Sequence, residues 1–386
     1  MTSFHLNARS RPVAPDPYGP VEYADLAAFY ARNPDLQPTP LRSLPAFARA
    51  LGIAELHVKD ESTRYGLNAF KSLGVRYAVD HLRREQRVTD GSTLVCASAG
   101  NHGRAVARVA RDLGLFARVY MSSAAADAPR KAIASEGAEV VIVDGTYDEA
   151  VRVMAQDAAA HGWTIVSDTS WPGYDEIPRL IMLGYTRIVD EIRLQLRMRP
   201  DVVFAQGGVG GLVYGVAAGL SREWPDERPR LVACEPSGAA CLLASARAGR
   251  LTTIDGPLTT IMAGLRCAEP SPAAWPAIAA SADAFVAIDD ETVIGAMRML
   301  ARPMAKDPAI KAGPSGACGF ASLVSVMRDE TLRPVREALG LGAASRVVVI
   351  NSEGATDPEL YRRVVSGTDP SHERTLSVPT RPSAVL

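Results

Sequence analysis

The chain has 386 residues, 47% of them hydrophobic and 22% charged, and a formal net charge of −1 at pH 7. That length supports two domains, or one α/β unit with an inserted lobe, around a sizeable core. A near-zero charge, with no Lys/Arg-rich run interleaved with aromatics, argues against nucleic acid or an anionic membrane as partner and leaves a small molecule.

Residues 1 to about 20 carry Pro12, Pro15, Pro17 and Pro20 and no periodicity, which predicts a strap or a loose arm. A short helix from Tyr23, a break at Pro38–Leu41, a second helix ending near Gly52 and a strand at Leu56–Val58 then deliver the chain to Lys59–Gly74, KDESTRYGLNAFKSLG. There Phe70 and Lys71 precede Val75, Tyr77, Ala78, Val79 and Leu82, apolar at helical spacing. Asn68 is the expected N-cap. Backbone N–H groups and the dipole at a helix start disfavour an ammonium, so Lys71 reads as a neutral nucleophile of the kind Schiff-base chemistry needs. The plainer reading is a solvated first-turn lysine.

Beyond Lys71 the pattern becomes regular. Strands are predicted at Leu94–Ala97, Arg118–Met121, Val140–Val143, Ile165–Val166, Val202–Ala205, Leu231–Ala233, Phe285–Ile288 and Val347–Ile350. Helices such as Gly103–Leu113, Tyr147–Ala160 and Leu180–Leu196 separate them. The alternation implies an α/β fold of mostly parallel, twisted sheets flanked by helices, with ligands at the C-terminal strand ends. From Gly367 the chain is polar and proline-bearing, a flexible tail.

Three strand ends carry chemistry. After Leu94–Ala97 comes SAGNHG, where Ser98, Ala99 and Gly100 let backbone N–H groups approach a carboxylate and Asn101 offers an amide to a phenolic or carbonyl oxygen. His102 beside it is expected to cap or pack, and an ordinary strand-to-helix turn with an Asn cap explains the same letters. After Val202–Ala205 comes QGGVGGL, in which Gly207, Gly208, Val209, Gly210 and Gly211 suggest a cup of backbone donors around a phosphate. As a dinucleotide fingerprint it fails, because the third glycine position falls on Val213. After Val347–Ile350, Asn351 or Ser352 would reach the same mouth as a neutral hydrogen-bonding group. Asp168, past Ile165–Val166, reads as an acid or base on the ligand side, or as a turn-forming aspartate.

Five scattered cysteines without a C-x-x-C pair, no signal-peptide succession and no apolar run near the roughly 20 residues of a membrane span lead us to expect a cytoplasmic protein with reduced thiols. Six dispersed histidines predict no zinc site.

Taken together, NAFKSLG, SAGNHG, the glycine cup and the polar residue after the last strand resemble the fold-type II pyridoxal-phosphate enzymes. Within them the chain is similar to the diaminopropionate ammonia-lyase family, through KDESTRYGLNAFK, SDTSWPGY, TIMAGLRCAEPSP, GPSGACG and NSEGATDPELYRRVVSG, over roughly residues 20–367. The resemblance implies a large cofactor-binding domain of residues 1–93 and 197–366, a small domain of 94–196 and a homodimer. It makes Lys71 the Schiff-base lysine and Cα proton acceptor, with Phe70 beside it. Asn101 would bind the phenolic oxygen of pyridoxal 5′-phosphate, Gly207–Gly211 its phosphate, and Asn351 or Ser352 its pyridine nitrogen. Ser98, Ala99, Gly100, Asn101 and His102, with Asp168, would surround an amino-acid substrate.

The implied reaction is α,β-elimination of L-2,3-diaminopropionate, or a close β-substituted L-amino acid, to pyruvate and ammonia. A serine or threonine dehydratase or a β-replacement synthase is the nearest alternative. A nucleotide-binding oxidoreductase using Glu235 on a ribose is the more distant one. One position departs from the family: Ala99 stands where it usually carries the aspartate associated with taking the proton from the D-isomer.

Overall fold

The structure, a computed structural model, describes residues 2–8, 17–123, 125 and 127–367. Its strands are β1 (Ser3–Leu6), β2 (Leu41–Ser43), β3 (Glu55–Asp60), β4 (Thr93–Ala97), β5 (Phe116–Ser122), β6 (Glu139–Val143), β7 (Thr164–Ile165), β8 (Val202–Gln206), β9 (Arg230–Pro236), β10 (Ala284–Ile288) and β11 (Arg346–Asn351). They form a seven-stranded sheet, β1-β10-β9-β8-β11-β3-β2, and a four-stranded sheet, β6-β5-β4-β7. Every pairing is parallel except the two edge pairs of the larger sheet, β1 with β10 and β2 with β3.

The apolar runs explain the interior strands. VVFAQ in β8 and AFVAI in β10 are buried at every position, as strands covered by helices on both faces must be. In register, Val348 of β11 lies between Val203 and His57. The helix Pro314–Arg328 covers β8 and β11, while Asn101–Asp112 and Tyr147–His161 pack on β4 and β5.

Close helix crossings set the spacing of the interior. A Cβ on Gly74, in the helix Ser72–Arg84, would collide with Ile181 O of the helix Glu176–Tyr185. One on Gly184 would stand 2.7 Å from Gly74 Cα. The helix Gly211–Glu223 approaches similarly, with Gly215 2.7 Å from Tyr185 Cβ by the same measure. Backbones touch here because no side chain intervenes.

Some expectations change. Ser3–Leu6 is an ordered edge strand rather than a loose arm; the rest of that prediction falls partly on residues 9–16, outside the described residues, as do residues 368–386 of the tail. The single helix expected over Leu180–Leu196 is two, Glu176–Tyr185 and Arg187–Gln195. At the junction the Thr186 N–H and hydroxyl both donate to Leu183 O, at 3.0 and 2.8 Å, and this tightens the turn.

Candidate active site

The C-terminal ends of β3, β4, β8 and β11 open on one mouth, and the segment before Lys71 is pinned there. Ala69 pairs antiparallel with Glu353, Phe70 N–H donates to Ser352 O at 3.2 Å, and Gly354 N–H donates to Asn68 O at 2.8 Å. Asn68 does not cap the following helix. Its φ of +59° turns the chain, as does Tyr65 at +47°, and Lys71 itself stands at the N-cap position with no side-chain cap.

A buried charge cluster braces this segment from below. Arg64 donates from Nε to Glu61 Oε2 at 2.7 Å and from Nη2 to Glu191 Oε2 at 2.7 Å, while Lys59 Nζ lies 2.6 Å from the same Glu191 oxygen. Thr39 closes the cluster, its hydroxyl donating to Glu61 and its carbonyl accepting from Lys59.

Lys71 Nζ donates to Asp168 Oδ2, with side-chain exposures of 18% and 21%. Burial pulls the ammonium down, but Asp168 more than offsets this and holds its pKa above the usual lysine value. Burial alone would push the Asp168 carboxyl up; His102 and Lys71 hold it well below the usual carboxylate range. Lys71 is therefore an ammonium in the ligand-free chain, not the neutral amine expected from its helix terminus. The nearby carboxylate outweighs the dipole. His102 is buried, donates from Nε2 to Val166 O at 2.8 Å and sets Nδ1 3.7 Å from Asp168 Oδ2; burial lowers its pKa. It packs, as one of its two expected roles required. The Phe70 ring lies 5.1 Å from Lys71 Nζ and 4.8 Å from the Tyr185 ring.

In the SAGNHG loop Ala99 and Gly100 are exposed at the mouth, and the Ser98 hydroxyl accepts from Gly100 N–H at 3.2 Å. Asn101 is the first residue of its helix, and its amide Nδ2 donates to Glu353 Oε2. Across the mouth lies the glycine run. Packing explains more of it than the letters suggested. A Cβ on Gly207 would collide with Leu242, one on Gly208 would stand 3.1 Å from Cys267 Sγ, and Gly210 has φ +98°. The helix Gly211–Glu223 behind it has no side-chain cap, so its first-turn N–H groups are offered to an anion in the mouth.

Asn351 turns away: its Nδ2 donates to Asp60 Oδ1 at 2.9 Å and to Lys311 O at 3.3 Å, beneath the helix Pro314–Arg328. Glu235 is equally committed, its carboxylate accepting from Leu242 and Leu243 N–H at 2.7 and 2.8 Å, and burial pushes its pKa up to about 8. It holds the start of the helix Cys241–Ala248 and is fully buried, out of reach of a ribose.

Two features of the mouth were missed in the sequence. Glu353 is a buried acid whose Oε1 accepts from Ser315 N–H at 3.1 Å, and an acid two residues past the end of the last strand was its available signal. The second is a stitch. Ser170 N–H donates to Ser271 Oγ at 3.0 Å, the two hydroxyls lie 2.9 Å apart, and Ser271 N–H donates to Val209 O at 2.8 Å. It joins the Asp168 loop to the glycine run, and no local pattern announces it.

An amine, an amide and an uncapped helix start around one opening fit the aldehyde, phenol and phosphate of pyridoxal phosphate. Residues 33–353 match the model of the family described as pyridoxal-phosphate dependent enzyme. The diaminopropionate ammonia-lyase of Escherichia coli (strain K12) is 37% identical over 355 residues, covering 87% of this chain and 89% of that enzyme. A crystal structure of the holo enzyme from Escherichia coli superposes with a TM-score of 0.89 at 34% identity, covering 96% of this chain and 97% of the other. A biosynthetic L-threonine dehydratase of Mycobacterium tuberculosis is 28% identical over 337 residues, covering 86% of this chain and 71% of that enzyme. The chain belongs to the fold-type II pyridoxal-phosphate-dependent enzymes and, among them, to the diaminopropionate ammonia-lyase family.

Proposed function

We propose that the chain catalyses α,β-elimination of L-2,3-diaminopropionate, which with one water gives pyruvate and two molecules of ammonia. The Lys71–Asp168 pair in the mouth, within a chain so similar to the Escherichia coli enzyme, carries this reading. Pyridoxal phosphate, when bound, fixes the substrate α-amine and takes up the electron pair left at Cα. The chain supplies the rest. Lys71 would be the covalent anchor, its ammonium proton passing to solvent as it attaches; once displaced by the substrate amine it is neutral and accepts the Cα proton of the L-isomer. Asp168, an ionised carboxylate, holds the substrate β-ammonium and so orients the leaving nitrogen. The Ala99 N–H and the uncapped helix start at Asn101 and His102 receive the substrate carboxylate, while Ser98, whose N–H donates to Tyr120 O, and Gly100, whose N–H donates to the Ser98 hydroxyl, shape the loop around it. Gly207, Gly208, Val209, Gly210 and Gly211 cradle the phosphate, Phe70 flanks the amine, and Asn101 meets the phenolic oxygen. Ser352 is favoured over Asn351 for the pyridine nitrogen because the Asn351 amide is already engaged with Asp60.

The two sheets support a division into 1–93 with 197–366 and 94–196, since β5, β6 and β7 and almost all of β4 lie within the second range. A homodimer in the cytoplasm completes the reading. Five free thiols favour a reducing compartment, and no helix among the described residues is long and apolar enough to cross a membrane. Sedimentation tests the dimer.

The deciding experiment measures pyruvate from L- and D-2,3-diaminopropionate, L-serine and L-threonine side by side. Borohydride reduction of the yellow protein and peptide mapping run in parallel. We expect L-diaminopropionate to lead and the label to fall on Lys71. With Ala99 in place of the acid, the D-isomer should be turned over far more slowly, and Ala99→Asp should raise it. Equal rates on both isomers refute the stereochemical part, and preference for serine or threonine reassigns the chain to the dehydratases.

A further inference from the structure

We propose that Glu353 is a positioning residue for the cofactor: its carboxylate sets the rotation of the Asn101 amide so that an N–H, not the carbonyl oxygen, faces the phenolic oxygen. This rests on the function proposed above, in which Asn101 meets that oxygen.

The geometry leaves Glu353 little freedom. Its backbone is held on one side by the Ala69 pairing and on the other by Gly313 N–H, which donates to Glu353 O at 2.9 Å. The residue is 5% exposed. One carboxylate oxygen accepts from Ser315 N–H at the start of the helix Pro314–Arg328. The other accepts from Asn101 Nδ2 and, at 3.5 Å, from the Thr356 hydroxyl. Burial pushes its pKa up, and the hydrogen bonds from Ser315, Asn101 and Thr356 act against that rise.

An amide can rotate to offer either end, but a carboxylate can only accept. Facing Glu353, Asn101 must turn Nδ2 toward it, which leaves the second N–H of the same nitrogen for the ring oxygen. Among the described residues Asn101 makes no other side-chain hydrogen bond, so nothing else fixes that rotation. The bond also runs from the four-stranded sheet's helix to the loop after β11, and so joins the two sides of the mouth.

Glutamine has the same shape but a single acceptor, and Ser315 N–H, being backbone, keeps it. Glu353→Gln therefore presents an N–H to Asn101 and flips the amide. Cofactor-free protein titrated with pyridoxal phosphate is the assay, read by affinity and by the ratio of the visible to the near-ultraviolet band of the bound cofactor. We expect Glu353→Gln to lose about tenfold in affinity and to shift the ratio toward the near-ultraviolet. Asn101→Ala should do the same, and the double variant should be no worse than Asn101→Ala alone.

A merely structural bridge is separated by adding Glu353→Gln to Asn101→Asp, a substitution that alone sets two carboxylates face to face. The addition restores a hydrogen bond of reversed polarity while offering the ring oxygen only acceptors. We expect the melting temperature of the cofactor-free protein to recover and the affinity not to. Recovery of both, additive single effects, or a Glu353→Gln variant with the parent's band ratio and affinity overturns the proposal alone. A parent that takes up no pyridoxal phosphate overturns the proposed function and this inference together.

Discussion

At the scale of single residues, the Lys71–Asp168 pair gives the site a pH signature. The Lys71 pKa is raised by Asp168, so its contribution to stability is complete below the unfolded lysine value, about 10.4, and is lost as pH rises through the higher folded one. The Asp168 pKa is depressed, so its contribution is complete above the unfolded value, about 3.9, and is lost as pH falls toward the folded one. The pair therefore steadies the cofactor-free protein across roughly pH 4 to 10. Asp168→Asn removes the offset and leaves burial acting on Lys71 alone. Its amine should then deprotonate at lower pH, and uptake of pyridoxal phosphate, followed by the visible band, should extend about a unit or more toward acid. Elimination should meanwhile slow by roughly 10² to 10⁴. Unchanged uptake across pH would contradict the assigned partnership.

At the scale of elements, the helix crossings and the serine stitch make separate predictions. Gly74→Ala drives a methyl into Ile181 O, and a crossing of two backbones can yield only by separating the helices. A loss of about 1–3 kcal/mol in urea unfolding is expected. Ser271→Ala leaves the buried Ser170 N–H without its acceptor, at a cost of about 1–3 kcal/mol. Because that stitch ends on Val209, cofactor retention in dialysis should fall as well. How legible these elements were follows from their physics. Parallel strands buried on both faces, β8 and β10 above all, announce themselves as unbroken Val/Ile/Ala runs, and β6 and β7, edge strands of the smaller sheet and less buried, were readable from their apolar letters alone. The edge strands β1 and β2 are short and mixed in composition, and their pairing comes from neighbours distant in sequence. The Thr186 break was hidden because its side chain competes for a carbonyl inside an otherwise continuous helical pattern. Lys71, Asn101 and Asp168 were legible as motifs, but Lys71's charge was not, since the carboxylate that fixes it lies 97 positions away. Glu353 was legible only as an acid beyond the last strand, since the Asn101 amide it binds lies 252 positions away.

At the scale of the whole molecule, the charge cluster is the deepest tie between the lysine segment and the rest of the fold. Burial pushes the Glu191 carboxyl up, yet Arg64 and then Lys59 hold it below its ordinary value. Its contribution is thus present above the unfolded glutamate value, about 4.3, and fades as pH falls toward the folded one. Glu191→Ala leaves the buried Lys59 without its carboxylate and Arg64 with Glu61 alone, and should cost about 3–5 kcal/mol. Chemical denaturation at neutral pH measures this, and the gap between parent and variant should narrow in acid. A gap that persists unchanged at pH 3 would mean the loss came from packing.

The contacts at Gly74, Gly184 and Gly215 bear on how such an enzyme can diversify. Where main chains touch directly, the span from Lys71 to the glycine run is a fixed ruler. Replacing the side chains that line the opening does not stretch it. Isomer preference can therefore drift at positions such as Ala99 while the Lys71 segment and the glycine run keep their registration.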